Sequence, residues 1–307
     1  MYIMSDTNIN ILNEYINALI LNIDPATLPK ELNLIFDSGA VNGIIGIGAA
    51  LYLYRLEQKK YMKINKISGC SIGALIALWY LYGCPESMYK YMDILFQYYK
   101  KHKNFYIWHE IVPKVVDELC ISDDMTIINK RLYINYYDTK KSKHRVISKY
   151  KNKSHLITCI LRSSHVPFLT SNKFKYQDRY IDGIAPYFFN KGTNLFIQLI
   201  TLVKPLNSLI VKYETNIYTR LLRGVVDVND FFINGESSMC CYVNDKSYIL
   251  HLQLLLRKYF VFLILSLIDL YIIIKNNMPV ALRHTLIYSK LMFFSKKAWQ
   301  QLQNKLV

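Results

Sequence analysis

Apolar positions along the chain fall into short runs with two different spacings. Ile9, Leu12, Ile16 and Leu19 recur at three and four residues, which predicts a helix over 9–22 that DPATLP at 24–29 ends. LNLIF at 32–36 predicts a buried strand, followed by a glycine-rich bend and a helix running to about Glu57. Residues 64–68 predict a second strand, and 72–82 and 86–101 predict helices. RLYINYY at 131–137 and RVIS at 145–148 flank the polar stretch DTKKSKH as the two strands of a hairpin would. A short helix is expected at 155–162 and an inner strand at 195–203. Strands alternating with helices predict an α/β layered domain with a largely parallel sheet.

Beyond about residue 205 the pattern changes. Residues 249–274 read ILHLQLLLRKYFVFLILSLIDLYIII, and the uninterrupted part, Tyr259 to Ile274, contains Ser266 and Asp269. As a helix that part would span roughly 24 Å, short of a hydrocarbon core of roughly 30 Å. An aspartate inside a bilayer is also costly. These two facts favour a buried or interfacial helix over a membrane span at 259–274.

Composition adds a charge argument. The 307 residues carry 38 Lys plus Arg against 22 Asp plus Glu, a formal charge of +16. Such a surplus favours anionic partners: phospholipid headgroups, nucleic acid or acidic proteins. No zinc finger or RNP-like signature supports nucleic acid. The six cysteines form no CxxC pair, so neither a metal site nor a disulfide framework is expected. The N-terminus lacks the basic and apolar regions of a secretory signal, and an intracellular, cytoplasmic protein with reduced thiols is expected.

Six of the eleven glycines lie between Gly39 and Gly73, in two clusters. The second is Gly69-Cys70-Ser71-Ile72-Gly73, between a predicted strand and a predicted helix. Strand, GxSxG, helix is the context of a nucleophile elbow, in which a serine hydroxyl projects from a strained bend beside a helix N-terminus. The same string also reads as a helix start with Ser71 as N-cap. The first cluster, FDSGAVNGIIGIG at 36–48, is suited to an anion, because its N–H groups precede a helix whose dipole favours negative charge. No GK[ST] follows, which excludes a P-loop, and Gly43, Gly46 and Gly48 give GxxGxG, the reverse of dinucleotide spacing. An oxyanion hole remains, with Gly46 and Gly48 read as close packing of helix on sheet. A serine needs a base. None of the seven histidines sits in a conspicuous motif; His165 in RSSHVPF is one candidate, and Asp182 in RYIDGIAPY is another, although Asp-Gly also makes turns.

In order, FDSGAVNGIIGIGAALYLYRLE, ISGCSIGAL, SSHVPF and YIDG resemble the patatin-like phospholipase family over about residues 32–200. The resemblance implies a three-layer α/β/α fold with a mostly parallel central sheet. It also implies lipid acyl-ester hydrolysis by a Ser71–Asp182 dyad without histidine, metal or cofactor. Gly39, Ala40 and Asn42 would serve the oxyanion hole, and Gly69 and Gly73 the elbow. The organisation expected is an N-terminal helical segment at 1–30, a patatin-like domain at 31–204 and a mainly helical extension at 205–307. The substrate would be a phospholipid or other acyl lipid at an anionic membrane surface. The chain departs from the family's GGGx[KR]G and DGG or DGA patterns at Ala40, Asn42 and Ile184. These departures motivate an alternative, a catalytically weak or inactive lipid-binding or scaffold protein. An α/β-hydrolase triad using His251 or His284 is a third reading.

Overall fold

The computed structural model describes residues 6–83, 85–120, 122–201, 205–243 and 248–277, with positions 279, 285, 290, 297 and 301 beyond them. Helix α1 spans Asp6–Ile20 and leads to strand β1, Glu31–Phe36. A single 3-10 turn, Ala40–Asn42, joins β1 to helix α2, Gly43–Gln58. Strand β2, Lys63–Gly69, is followed by α3, Ile72–Tyr82, α4, Pro85–His102, and α5, Trp108–Leu119. The hairpin β3, Leu132–Asp138, and β4, Lys143–Ile147, precedes α6, Lys153–Ser163. Strands β5, Tyr180–Asp182, and β6, Asn194–Ile197, come next, then α7, Tyr218–Asn234, β7, Cys240–Val243, and α8, Tyr248–Asn277.

The protein is α/β, with one mixed sheet in the order β4-β3-β2-β1-β6-β7. Its four inner strands run parallel, while β4, β5 and β7 pair antiparallel with their neighbours. The expected parallel core is present; the antiparallel strands stand at its margins because hairpins and short returns deliver them. The last strand comes from beyond residue 205, so the sheet is completed by the segment after the family-like motifs.

Side-chain alternation fixes the two faces. Leu34, Phe36, Leu195 and Ile197 point into the large core beneath α1 to α7, whereas Ile35 and Phe196 point the other way. That second face is covered more thinly, by Tyr187, Phe188 and Phe189 and by Leu250 and Leu254 of α8. Strand β6 is shorter than the apolar run at 195–203 predicts. The chain leaves the sheet after Ile197 because the Leu199 and Ile200 N–H groups donate to the Asp37 carboxylate instead of to a neighbouring strand. Helix α5 is not anticipated by the sequence reading; it buries Trp108, Ile111, Val112, Val115, Val116 and Leu119 on one face despite carrying Pro113.

Gly46 and Gly48 do allow close packing, but chiefly against helices. A Cβ on Gly48 would lie 2.0 Å from the Leu221 carbonyl oxygen of α7, and one on Gly46 would lie 2.9 Å from Ile76 of α3. Gly224 of α7 returns the contact on Ile45 of α2.

Candidate active site

The register of β3 explains how two residues 111 positions apart in the sequence come together. Gly69 at the end of β2 pairs with Ile134, and Asp182 of β5 pairs with Tyr136. β5 therefore takes up pairing with β3 two residues beyond the last partner of β2. The bend after Gly69 and the end of β5 consequently meet at one level of the sheet.

Ser71 occupies that bend with φ 56° and ψ −126°. A positive φ on a residue with a side chain is strained and persists only when its surroundings enforce it. Here the enforcement is steric and polar. A Cβ on Gly69 would fall 2.2 Å from the Gly73 carbonyl oxygen, and a Cβ on Gly73 would fall 2.5 Å from that of Asp37. Only glycines permit this crossing of strand, bend and helix. The Ser71 N–H donates to the Ser163 hydroxyl at 3.0 Å, and that hydroxyl donates to the Asn135 carbonyl at 2.7 Å. Ser71 precedes α3 but makes no side-chain cap bond there, so its hydroxyl is not used as an N-cap.

Asp182 is buried at 9% exposure, and Ser71 at 8%. Burial raises the Asp182 pKa above the ordinary carboxylate value, against the opposing effects of the Ile184 N–H, the Ser71 hydroxyl, the Cys70 thiol and the Arg257 cation. The Ile184 N–H donates to Asp182 Oδ1 at 2.7 Å and the Cys70 thiol donates to the same oxygen at 3.4 Å. Burial and the neighbouring carboxylates of Asp182 and Asp37 keep Cys70 protonated. Among the described residues, no histidine contributes to the charge state of Asp182. The His165 ring is buried and its pKa is pushed down to about 4 by desolvation; its backbone carbonyl accepts from the Asp182 N–H at 2.9 Å.

Gly39 and Ala40 lie at the turn between β1 and α2, and Ala40 and Ser71 line one pocket. Among the described residues no acceptor takes the N–H of Gly39 or Ala40, so both donors are available. Ala40 has φ 45°, where the family pattern has glycine. Asn42 is not brought to this pocket. Its Nδ2 donates to the Leu199 carbonyl at 2.7 Å and its Oδ1 accepts from Arg220, which is paired with Glu214. Both ends of the amide are thus committed on the far side of the loop, where they line a separate, polar cavity.

The pocket at Ser71 is lined by Ala40, Ile72, Leu95, Phe105, Trp108 and Leu169, among others, and is almost wholly apolar. Its polar contribution comes from Ser71, Ser164 and Thr170. Trp108 Nε1 donates to the Ser164 hydroxyl at 2.5 Å, which fixes the indole as one wall. Among the described residues there is no cluster of His, Cys, Asp or Glu able to hold a metal ion.

Three participants went unnoticed in the sequence reading. Ser163 precedes the SHVP stretch and carries no signal of its own. Asp37, within the quoted FDSG, is fully buried and accepts from Ser38, Leu199, Ile200 and Arg257. Arg257 could have been found as the one arginine inside the apolar run ILHLQLLLRKYFVFLIL.

The α/β sheet thus holds a serine on a strained strand-to-helix bend, with a buried carboxylate beside it and the unbonded N–H groups of Gly39 and Ala40 at the neighbouring turn. Residues 34–185 match the family model described as Patatin: Patatin-like phospholipase. This segment is therefore similar to patatin-like phospholipase domains, a family that in general acts on lipids as acyl hydrolases. No curated protein matches the chain significantly.

Proposed function

We propose that the protein hydrolyses fatty-acyl esters of membrane lipids through Ser71 and Asp182. The observation that carries this reading is the meeting of the strained Ser71 with a buried Asp182 on the same strand edge, beside a pocket of apolar side chains. Asp182 accepts the Ser71 proton as the hydroxyl attacks the ester carbonyl. The raised pKa makes the carboxylate a stronger base than a free aspartate. The N–H groups of Gly39 and Ala40 stabilise the tetrahedral oxyanion; a donor of this kind is typically worth about 3 kcal/mol in the transition state. Protonated Asp182 then gives its proton to the leaving alcohol, and water, activated by the same carboxylate, releases the fatty acid.

The reading extends to the membrane. Helix α8 carries Leu252, Leu255, Leu256, Tyr259, Phe260 and Leu263 exposed on its outer side, and the stripe continues to Ile273. Its 30 residues span about 45 Å, and Leu250–Leu270 is long and apolar enough to cross a bilayer, a longer stretch than the uninterrupted sequence run. The inner side is tethered: Arg257 is buried, and Asp269 pairs with Lys175 at 3.6 Å. A helix docked on one side and apolar on the other suits the interfacial position. Phe262 of α8 packs against Tyr137 of β3, ring centroids 4.7 Å apart and planes tilted by 59°, which sets the basic β3–β4 turn, with exposed Lys140, Lys141 and Lys143, beside the stripe. Such cations gain roughly 1 kcal/mol each near an anionic surface. We read the protein as cytoplasmic and peripheral to membranes, a reading the exposed apolar stripe and the neighbouring lysines support for its membrane part.

The deciding experiment is mass-spectrometric analysis of mixed lipid extracts incubated with the purified protein, with Ser71→Ala and Asp182→Asn alongside. Release of free fatty acid by the wild type alone is expected. Equal release by either variant would remove that residue from the dyad, and a folded wild type that neither releases fatty acid nor reacts with a fluorophosphonate would favour the non-catalytic lipid-binding alternative.

A further inference from the structure

Among the described residues Arg257 is the most buried arginine or lysine. It is 6% exposed and lies on α8, far beyond the matched segment 34–185. Its guanidinium grips the fully buried Asp37 carboxylate at both oxygens, Nη1 to Oδ2 at 2.7 Å and Nη2 to Oδ1 at 2.7 Å. The same two nitrogens donate to the carbonyls of Ile184 at 3.0 Å and Ile200 at 3.3 Å. One side chain therefore ties three segments: the start of the oxyanion loop, the turn after Asp182 and the end of β6.

The tie at Ile184 leads to the chemistry in one step. Ile184 has φ 67°, a conformation that a β-branched residue adopts only under constraint. Its carbonyl accepts from Arg257 and from the Ser38 hydroxyl at 3.2 Å, and its N–H donates to Asp182 Oδ1. The peptide is thus pinned on one side and holds the carboxylate on the other. On the loop side, Asp37 also accepts from the Ser38 N–H, immediately before Gly39 and Ala40. A buried ion pair is rarely the most stable filling for a protein interior. Its geometric specificity is the better reason for placing a lone inward-facing guanidinium in so apolar a helix.

We propose that Arg257 is a positioning residue of the Ser71–Asp182 site, and that α8 is a working part of that site because it delivers the guanidinium. The proposal rests on the dyad reading above and adds to it a dependence on a helix outside the matched domain. If α8 leaves its seat, the oxyanion loop and the Asp182 turn lose their common anchor together. A lipid surface that takes the exposed stripe while the inner face stays docked then favours the competent geometry.

The test compares full-length wild type, Arg257→Leu, Arg257→Lys and, as a control on the exposed stripe, Leu263→Gln. Amide hydrogen exchange comes first, because it is informative whether or not the protein is an enzyme. Arg257→Leu is expected to speed exchange about tenfold or more at residues 38–40 and 184–185 while β2 stays protected. Arg257→Lys, which keeps the charge but loses the fork, is expected to do so to a smaller extent. Leu263→Gln should change neither region. Fluorophosphonate labelling of Ser71 should slow about 100-fold in Arg257→Leu, in keeping with a misplacement on the ångström scale.

The pH profile separates charge from geometry. The groups facing Asp182 are Cys70 and Ser71 of the elbow and Arg257 of α8, with Asp37 behind Cys70. Removing the cation should move the acid limb of the labelling rate to higher pH in Arg257→Leu and leave it near the wild-type position in Arg257→Lys. Faster exchange throughout the sheet would make Arg257 a general stability residue and overturn the proposal, as would unchanged exchange at both loops. If the wild type does not label, the dyad reading fails by itself, and the exchange data still decide whether Arg257 anchors the two loops. Should Arg257→Leu not fold, Arg257→Lys carries the same exchange test.

Discussion

Gly73→Ala isolates how closely function depends on the elbow. A Cβ at position 73 would stand 2.5 Å from the Asp37 carbonyl oxygen and 2.7 Å from that of Phe36, both backbone atoms at the end of β1. Neither can swing aside as a side chain would, so α3 must retreat from β1 by about 1 Å to reach the 3.4 Å of ordinary contact. Overpacking of this kind costs about 1–3 kcal/mol. Alanine returns about 1 kcal/mol through its better helix propensity, since position 73 lies in the first turn of α3. The net loss of stability is therefore small, about 0–2 kcal/mol, and thermal denaturation should shift by a few degrees at most. The retreat nonetheless carries Ser71 away from Asp182 and the loop amides. A displacement near 1 Å costs about 100-fold in rate.

The expected signature is a large fall in kcat/KM on a soluble short-chain ester with nearly intact melting. Gly235→Ala supplies the control. Gly235 caps α7 with φ 72° and has nothing within 4 Å of its would-be Cβ. Alanine there costs about 1 kcal/mol through its backbone angle and should leave hydrolysis unchanged. If Gly73→Ala retained wild-type kcat/KM, the argument that the α3–β1 approach fixes the register of the serine would be wrong.

Ala40→Gly should stabilise the fold slightly, by up to about 1 kcal/mol, because Ala40 holds φ 45° and glycine relieves it at some cost in chain entropy; a fall in melting temperature would refute this. Asp182→Asn should abolish hydrolysis yet raise stability at neutral pH. Burial lifts the folded pKa of Asp182, so the native state loses stability as pH rises from the unfolded value of 3.8 through the folded one. The variant's advantage should vanish in acid below both values, and denaturant melts at two pH values would show it. Asp138 behaves in the opposite sense. Its hydrogen bonds from Arg179 and the nearby Arg145 depress its pKa to about 2, so its contribution is complete above 3.8 and lost as pH falls through about 2. Asp138→Asn should weaken the attachment of β5 to β3 at neutral pH and flatten the acid end of the stability profile, measured by circular dichroism.

Much of the architecture was legible because its signals are local. The short runs at 32–36 and 64–68 announce strands, and Gly69 and Gly73 around Ser71 announce a bend that only glycine permits. Asp182-Gly183 carried a weaker signal, interpretable only in order with the other motifs. Asn42 was misplaced as a pocket residue because no spacing rule shows that Leu199 and Arg220 take up its amide. Helix α5 was overlooked because Pro113 is a strong local breaker that its six buried side chains override.

The sequence by itself determined which residues are the candidates for the chemistry: a hydroxyl on a bend, a carboxylate before a glycine, and amide donors in a glycine-rich turn. These are properties of short stretches, set by sterics and side-chain type. Only the tertiary structure decided that Ser71 and Asp182 share one edge of β3, that Ser163 holds the bend, and that Arg257 reaches back 220 residues to Asp37. Such pairings depend on strand register and on how one helix seats against a sheet. No local pattern encodes them, because each is settled by packing among segments that are distant in the chain.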